Sequence, residues 1–166
     1  ANNVIGPEIT AQYSGLTEVR AGTLTVETNG VGAVTRVSVL DGATLNLSGS
    51  PITLGTVEGN GVITNGTLTS TLKCTFTDGA TQADAQPTFA NVATRGFKVD
   101  FGRTVSNPVN VSNPKLAIAK ITGSTIPDVS TWRGQNMGPS ISATFSLENN
   151  TVYATFDFGG TRLILR

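Results

Sequence analysis

The sequence predicts an all-β chain folded as a short parallel β-helix, a solenoid of stacked windings, closed by a C-terminal antiparallel hairpin. Three observations predict it. Composition is the first: of 166 residues, 26 are Thr and 16 are Val, two β-branched types that favour strands, and helix-forming runs are missing. Alternation is the second. Val37 and Val39, then Leu45 and Leu47, then Leu68, Leu72, Cys74 and Phe76 lie on one face, with Ser38, Asn46, Thr69, Lys73 and Thr75 between them. That is period 2 with one apolar side. The third is an internal repeat. Gly22-Thr23-Leu24-Thr25-Val26, Gly42-Ala43-Thr44-Leu45-Asn46-Leu47 and Gly66-Thr67-Leu68-Thr69 are alike, with Leu24 and Leu45 21 residues apart and Leu45 and Leu68 23 apart. Val19, Val37 and Val57 form a second series. Periods near 20 residues are the mark of a solenoid.

Stacking supplies the physics. A short strand leaves its backbone groups unpaired at both edges. A second winding about 4.8 Å above pairs them. Leu and Val then form an inner ladder, and Thr and Asn form outer ladders that bond to their copies. Few charges suit this arrangement, because like charges stacked on like would repel. Charged residues are 13% of the chain, against roughly 25% in an ordinary soluble domain.

Regularity fades after Phe76. Residues 77–90 read as a protruding loop. A strand follows with Phe97, Val99 and Phe101 inward and Lys98 and Asp100 outward. Leu116–Ile121 is another strand, residues 124–139 are irregular, and Ile141–Leu147, Glu148-Asn149-Asn150 and Val152–Phe158 read as a hairpin. Six of seven phenylalanines lie after residue 88, which suits a hairpin covering the open end of the stack. The chain is read as one module over 1–166, with repeat windings in 15–105 and final windings plus cap in 106–166.

Several functions are excluded. There is no histidine, so a histidine-based triad, a histidine-ligated zinc and a histidine-ligated haem are ruled out. Cys74 is the single cysteine, so no disulfide framework forms; its alternation makes it a small buried hydrophobe. Eleven acids balance eleven bases, which gives no basic footprint for nucleic acid. No apolar run approaches the roughly 20 residues of a membrane span. The start at Ala1 is that expected of a mature protein or an excised module.

Residues 15–105 resemble the autotransporter-associated β-helix repeat of large secreted bacterial proteins. The likeness rests on Ala21–Val26, Val37–Leu47 and Val57–Leu68, and the tail from Lys115 through Trp132 to Arg166 is similar to the closing segment of such proteins. The resemblance implies a right-handed helix of about four or five coils. In length and pattern the chain also looks like a non-catalytic carbohydrate-binding module of parallel β-helix type that accompanies xylanases. That likeness implies a secreted or cell-surface protein with no cofactor. It would bind plant cell-wall polysaccharide, with xylan the leading ligand, and target a covalently linked glycoside hydrolase. The alternative is a structural or adhesive β-helix segment of a secreted surface protein.

Candidate site residues follow from glycan chemistry, in which an aromatic face stacks on a pyranose and polar groups bond the hydroxyls. Trp132 is followed by Arg133, Gln135 and Asn136, which suits that task; equally, a large indole plugs the end of a stack. Tyr153 faces away from Val152 and Phe156, as a sugar platform or as an ordinary half-buried strand tyrosine; Tyr13 is read as a cover for the first winding. Lys98, Asp100 and Arg103, with Lys73 and Arg95, form one outward strip if strands 72–77 and 96–101 stack; the strip would line a glycan groove or be a solvated ion-pair ladder. Asp78, Asp84, Gln82 and Gln86 offer oxygens to calcium without a recognised calcium-loop spacing, so no metal is assigned. No carboxylates are paired as a glycosidase needs them, so the chain is read as a non-enzyme.

Overall fold

The computed structural model describes residues 2–5, 15–27, 36–77, 79–102, 115–138 and 140–158. The chain is all-β, with a mostly parallel, unclosed sheet and no α-helix among the described residues. Its strands are β1 (Asn2–Ile5), β2 (Leu16–Val19), β3 (Gly22–Val26), β4 (Arg36–Val39), β5 (Ala43–Asn46), β6 (Pro51–Glu58), β7 (Val62–Lys73), β8 (Thr88–Thr94), β9 (Lys98–Asp100), β10 (Lys115–Thr122), β11 (Arg133–Gln135), β12 (Ile141–Glu148) and β13 (Thr151–Phe158). One 3-10 turn spans Val129–Thr131.

Successive strands from β2 to β6 fall alternately into two parallel ladders. One runs β1-β3-β5-β7-β8-β10, the other β2-β4-β6-β7-β9-β11. β7 serves both because its 12 residues turn a corner at Asn65-Gly66, where φ is 57° and 157°. Alternation sets what each ladder buries. In the first, Leu24, Leu45, Ile63, Phe89 and Ile121 stand in register, all buried. In the second, Val37, Val57, Leu72 and Val99 do the same. Each such side chain contributes roughly 1.5–3 kcal/mol on burial. Among the described residues Ser38 and Ser70 are the buried polar ones, and no buried side-chain polar atom there lacks a partner.

Two details of the predicted repeat change. Leu68 does not continue the Leu24–Leu45 column; Ile63 does, and Leu68 pairs with Ile52 around the corner of β7. Val19 pairs with Val39, not Val37. The leucine count misses the first because the buried positions of β7 change phase at the Asn65-Gly66 corner, from Ile63 to Leu68.

One corner is built the same way on consecutive rungs. Asn65 and Asn91 occupy equivalent positions, both at φ 57°, and Gly123 follows on the next rung at φ 85°. Asn tolerates this left-handed region better than most residues. Gly123 must be glycine for a second reason: a Cβ there would lie 2.2 Å from Asn91 Oδ1.

Residues 79–87 do not protrude as a free loop. They run beside β10: Ala117 N donates to Thr81 O, Ala83 N to Ala117 O and Lys120 N to Pro87 O, and Ala83 is buried. The stretch covers part of β10's edge that no neighbouring strand reaches.

The chain closes antiparallel. β12 and β13 form the expected hairpin around Asn149-Asn150, both at positive φ as a two-residue primed turn requires. β13 pairs with β10, with a bulge between Ala117 and Ala119. Beneath the hairpin lie two aromatic clusters. Trp132 sits 4.5 Å from Phe97 and 6.0 Å from both Phe89 and Phe145, between ring centroids. Phe76, Phe101 and Phe156 form the other.

Candidate functional site

Of the strip expected on strands 72–77 and 96–101, Lys73 stands beside Asp100 in register and Lys98 lies on the same outward side, and β11 extends the surface. Register places Thr71, Lys98 and Arg133 in one outward column, and Glu58, Lys73, Asp100 and Gln135 in the next. Most of its polar groups are already bonded within the protein. Lys73 Nζ meets Glu58 at 3.2 Å. Asp100 Oδ1 accepts from Gly102 N at 2.8 Å and from Asn136 Nδ2 at 2.9 Å. The Arg133 guanidinium donates to the carbonyls of Thr131 and Trp132 at 3.1 and 3.0 Å, closing the 3-10 turn. Lys98 and Gln135 have no side-chain bond among the described residues. Arg95 lies at a corner, off this strip, with its backbone N–H on Leu68 O. Arg103, Asp78 and Tyr13 lie outside the described residues.

Trp132 does not belong to a surface patch with Arg133, Gln135 and Asn136. Its relative exposure is 1%, and its indole N–H donates to Thr94 Oγ1 at 2.8 Å. A ring enclosed by three phenylalanines has no face left for a sugar. It fills the cross-section above the last parallel rungs and hands its one polar atom to a strand hydroxyl.

Tyr153 is placed differently. Alternation along β13 buries Val152, Ala154 and Phe156 and leaves Tyr153 half-buried on the outer side. Its ring borders a cleft of about 540 Å³ shared with Thr81, Gln82, Lys115, Ala117 and Glu148. Lys115 Nζ lies 5.7 Å from the ring centroid, within cation–π range, and bonds Glu148 Oε1 at 2.6 Å. The hydrogen bond from Lys115, with Lys115's charge and a bond from Ser146, holds the Glu148 carboxyl below its ordinary range. Gln82 also borders a second groove of about 520 Å³ that contains Asn60, Gln86, Asp41 and Lys120. There Asn60 Oδ1 accepts from Gln86 N at 2.7 Å, and Gln86 Nε2 donates to Gln82 Oε1 at 3.4 Å. The two hollows share Gln82 as a lining residue; together they make up the polar trough, with Tyr153 as an aromatic wall at one end. The amides that the sequence suggested for calcium line this trough.

Among the described residues, no three His, Cys, Asp or Glu side chains come together to hold a metal ion. No described helix is long and apolar enough to cross a membrane. Cys74 is buried and free. Burial, helped by the charge of Asp84, pushes its thiol up to about 12.

Sequence reasoning missed one surface. At the corner of Asn65 and Asn91 lies a groove of about 690 Å³, which also touches Asn46, Ser48, Ser124 and Thr125. The available signal was Asn in Thr64-Asn65-Gly66 and again in Ala90-Asn91-Val92, each just after a strand rung.

No family model matches this sequence, and no curated protein or solved structure matches it either.

Proposed function

We propose that the chain is a non-catalytic carbohydrate-binding module whose ligand is a plant cell-wall polysaccharide, xylan first, held in the trough between Tyr153 and Asn60. The carrying observation is the half-exposed Tyr153 ring at the wall of a cleft whose other groups are hydroxyl, amide and a cation–carboxylate pair. Such a wall stacks a pyranose, and such groups bond its hydroxyls. Few anchors are present, so affinity is modest, roughly micromolar to millimolar. Glu148 does not suit the acid role in a glycosidase. A glycosidase's acid needs a raised pKa, whereas Lys115 lowers that of Glu148.

The fold carried by this reading is a short right-handed parallel β-helix of the autotransporter-associated repeat kind, each winding made of one strand from either ladder. In register, Leu24–Leu45–Ile63 and Val37–Val57–Leu72 support it. The module acts in a secreted or cell-surface protein and holds a linked hydrolase near its substrate, where tethering raises local concentration.

Affinity electrophoresis in gels containing soluble xylan, glucomannan or β-glucan tests the proposal. Xylan retards the wild type, and Tyr153→Ala removes most of that retardation with the circular dichroism unchanged. A wild type that migrates freely in every gel overturns the binding reading and leaves a structural or adhesive segment in its place.

A further inference from the structure

The corner groove is chemically unlike the trough. Among its lining residues are Asn46, Asn65, Asn91, Thr67, Ser124 and Thr125, and none is charged or aromatic. The polar groups also repeat in space. Asn65 and Asn91 stand at the same position on adjacent rungs, about 4.8 Å apart in the stacking direction. Asn46 precedes them and Ser124 follows, so a line of amides and hydroxyls runs across four rungs.

Much of this hydrogen-bonding capacity remains open. Asn91 Oδ1 accepts from Ser124 N at 2.7 Å, from Ser124 Oγ at 3.2 Å and from Thr125 N at 3.4 Å. Two backbone donors fix which way that amide points, so its nitrogen is left to donate. Asn65 is exposed, and its side chain makes one long bond, Nδ2 to Asn46 Oδ1 at 3.4 Å. A surface without charge or aromatic rings offers no ion pair and no stacking platform. What it recognises is a neutral chain with hydroxyls at a regular spacing, met edge-on. The sugar units of an extended β-linked polysaccharide repeat at a length close to one rung.

We infer that this corner groove is a second carbohydrate-contact site, for a neutral, unbranched stretch of polysaccharide lying along the stacking direction. It rests on the reading of the chain as a glycan binder but not on the Tyr153 trough. Two sites on one module bind a long polymer more tightly than a short oligomer, since the second contact becomes intramolecular.

Two variants address the groove without disturbing the fold. Ser48→Gly with Asn65→Gly removes a hydroxyl and an amide where φ is 53° and 57°, which glycine adopts without strain. Ala93→Arg leaves every native bond in place and fills the groove with a long charged side chain. Calorimetric titration with xylohexaose and with soluble xylan reads both, alongside Tyr153→Ala. Expected results are that Tyr153→Ala still binds xylan, that the double glycine variant binds about 3–10-fold more weakly than wild type, and that Tyr153→Ala with Ala93→Arg does not bind. Raising the salt leaves the binding that survives in Tyr153→Ala unchanged. If both groove variants bind as wild type while Tyr153→Ala abolishes binding, the corner site is overturned and the trough stands. If the groove variants lose binding and Tyr153→Ala loses none, the trough is overturned and the corner stands. A wild type that binds neither ligand overturns both.

Discussion

The half of the chain from β2 to β7 and the half from β8 to β13 solve one problem in different ways. In the first, aliphatic side chains stand over their own kind: Leu24 over Leu45 over Ile63, Val37 over Val57 over Leu72. Every rung offers the next a finished template, so small residues suffice. In the second half the template runs out. Phe89, Phe97 and Trp132 widen the core, and β13 turns back antiparallel on β10. A stack is satisfied by repetition, but its end must be satisfied by bulk and by a change of strand direction. The repeat half therefore spreads its stability over many similar contacts, and the closing half concentrates it in a few rings.

That contrast orders the expected effects of mutation. Trp132→Ala removes the ring on which Phe89, Phe97 and Phe145 converge, and costs about 3–5 kcal/mol in chemical denaturation. Leu45→Ala, on a rung with aliphatic neighbours above and below, costs about 2–4 kcal/mol. A larger loss for Leu45→Ala than for Trp132→Ala would break the comparison. Gly123→Ala costs about 1–3 kcal/mol, because it combines a left-handed φ with a clash on the Asn91 amide. Gly42→Ala, at φ 76° with open space around it, bears the backbone term alone, about 1–2 kcal/mol. Equal losses at the two glycines would mean that the Asn91 contact does not matter.

Cys74 sharpens the picture of a dry seam between the halves. Its thiol is raised from near 9.0 to about 12 by burial and by Asp84. A raised value in the folded state means a contribution complete below the ordinary thiol range and lost as pH climbs from about 9.0 toward about 12. Wild type is therefore expected to lose stability over that interval relative to Cys74→Ala. An alkylating reagent is expected to label Cys74 only in denaturant; rapid labelling of the native protein would contradict its burial. The smallest effect belongs to Lys115→Met. Lys115 and Glu148 form an exposed ion pair, so thermal melts at neutral pH are expected to be unchanged. The carboxyl itself, followed by NMR titration, moves up toward its ordinary range. Its folded value is lowered, so whatever Lys115 contributes is present above the unfolded carboxylate range and lost as pH falls through the folded value.

The two halves were unequally legible. In the repeat half, alternation picks out Val37, Val39, Leu45, Leu47, Leu68, Leu72 and Cys74, all of them buried, although Ser38, read on the outward face, is buried too. The sequence offered the stacking of strands 72–77 and 96–101 as a condition for the charged strip, and 71–73 pair with 98–100. Register was not legible: at Asn65-Gly66 the buried positions of β7 change phase, from Ile63 to Leu68, and Leu68 passed for the partner of Leu45. In the closing half the hairpin was visible from the Asn149-Asn150 turn. The side of Trp132 was not visible, since an indole beside Arg, Gln and Asn suits a surface as well as a core. Only Phe89, Phe97 and Phe145, brought from distant parts of the chain, decide it. Residues 79–87 lacked periodicity because they pair with β10 through isolated backbone bonds, which impose no side-chain rhythm. For the same reason Gln82 and Gln86 suggested a metal loop before the trough beside Tyr153 gave them another place.

The central claim is that the trough at Tyr153, and not the charged strip on β9 and β11, receives the glycan. Two-dimensional amide NMR during titration with xylohexaose tests this most directly. The account predicts saturable shifts at Gln82, Ala117 and Tyr153, with Lys98, Val99 and Gly134 unmoved. Shifts confined to Lys98, Asp100 and Gln135, or none at a saturating concentration, would contradict it.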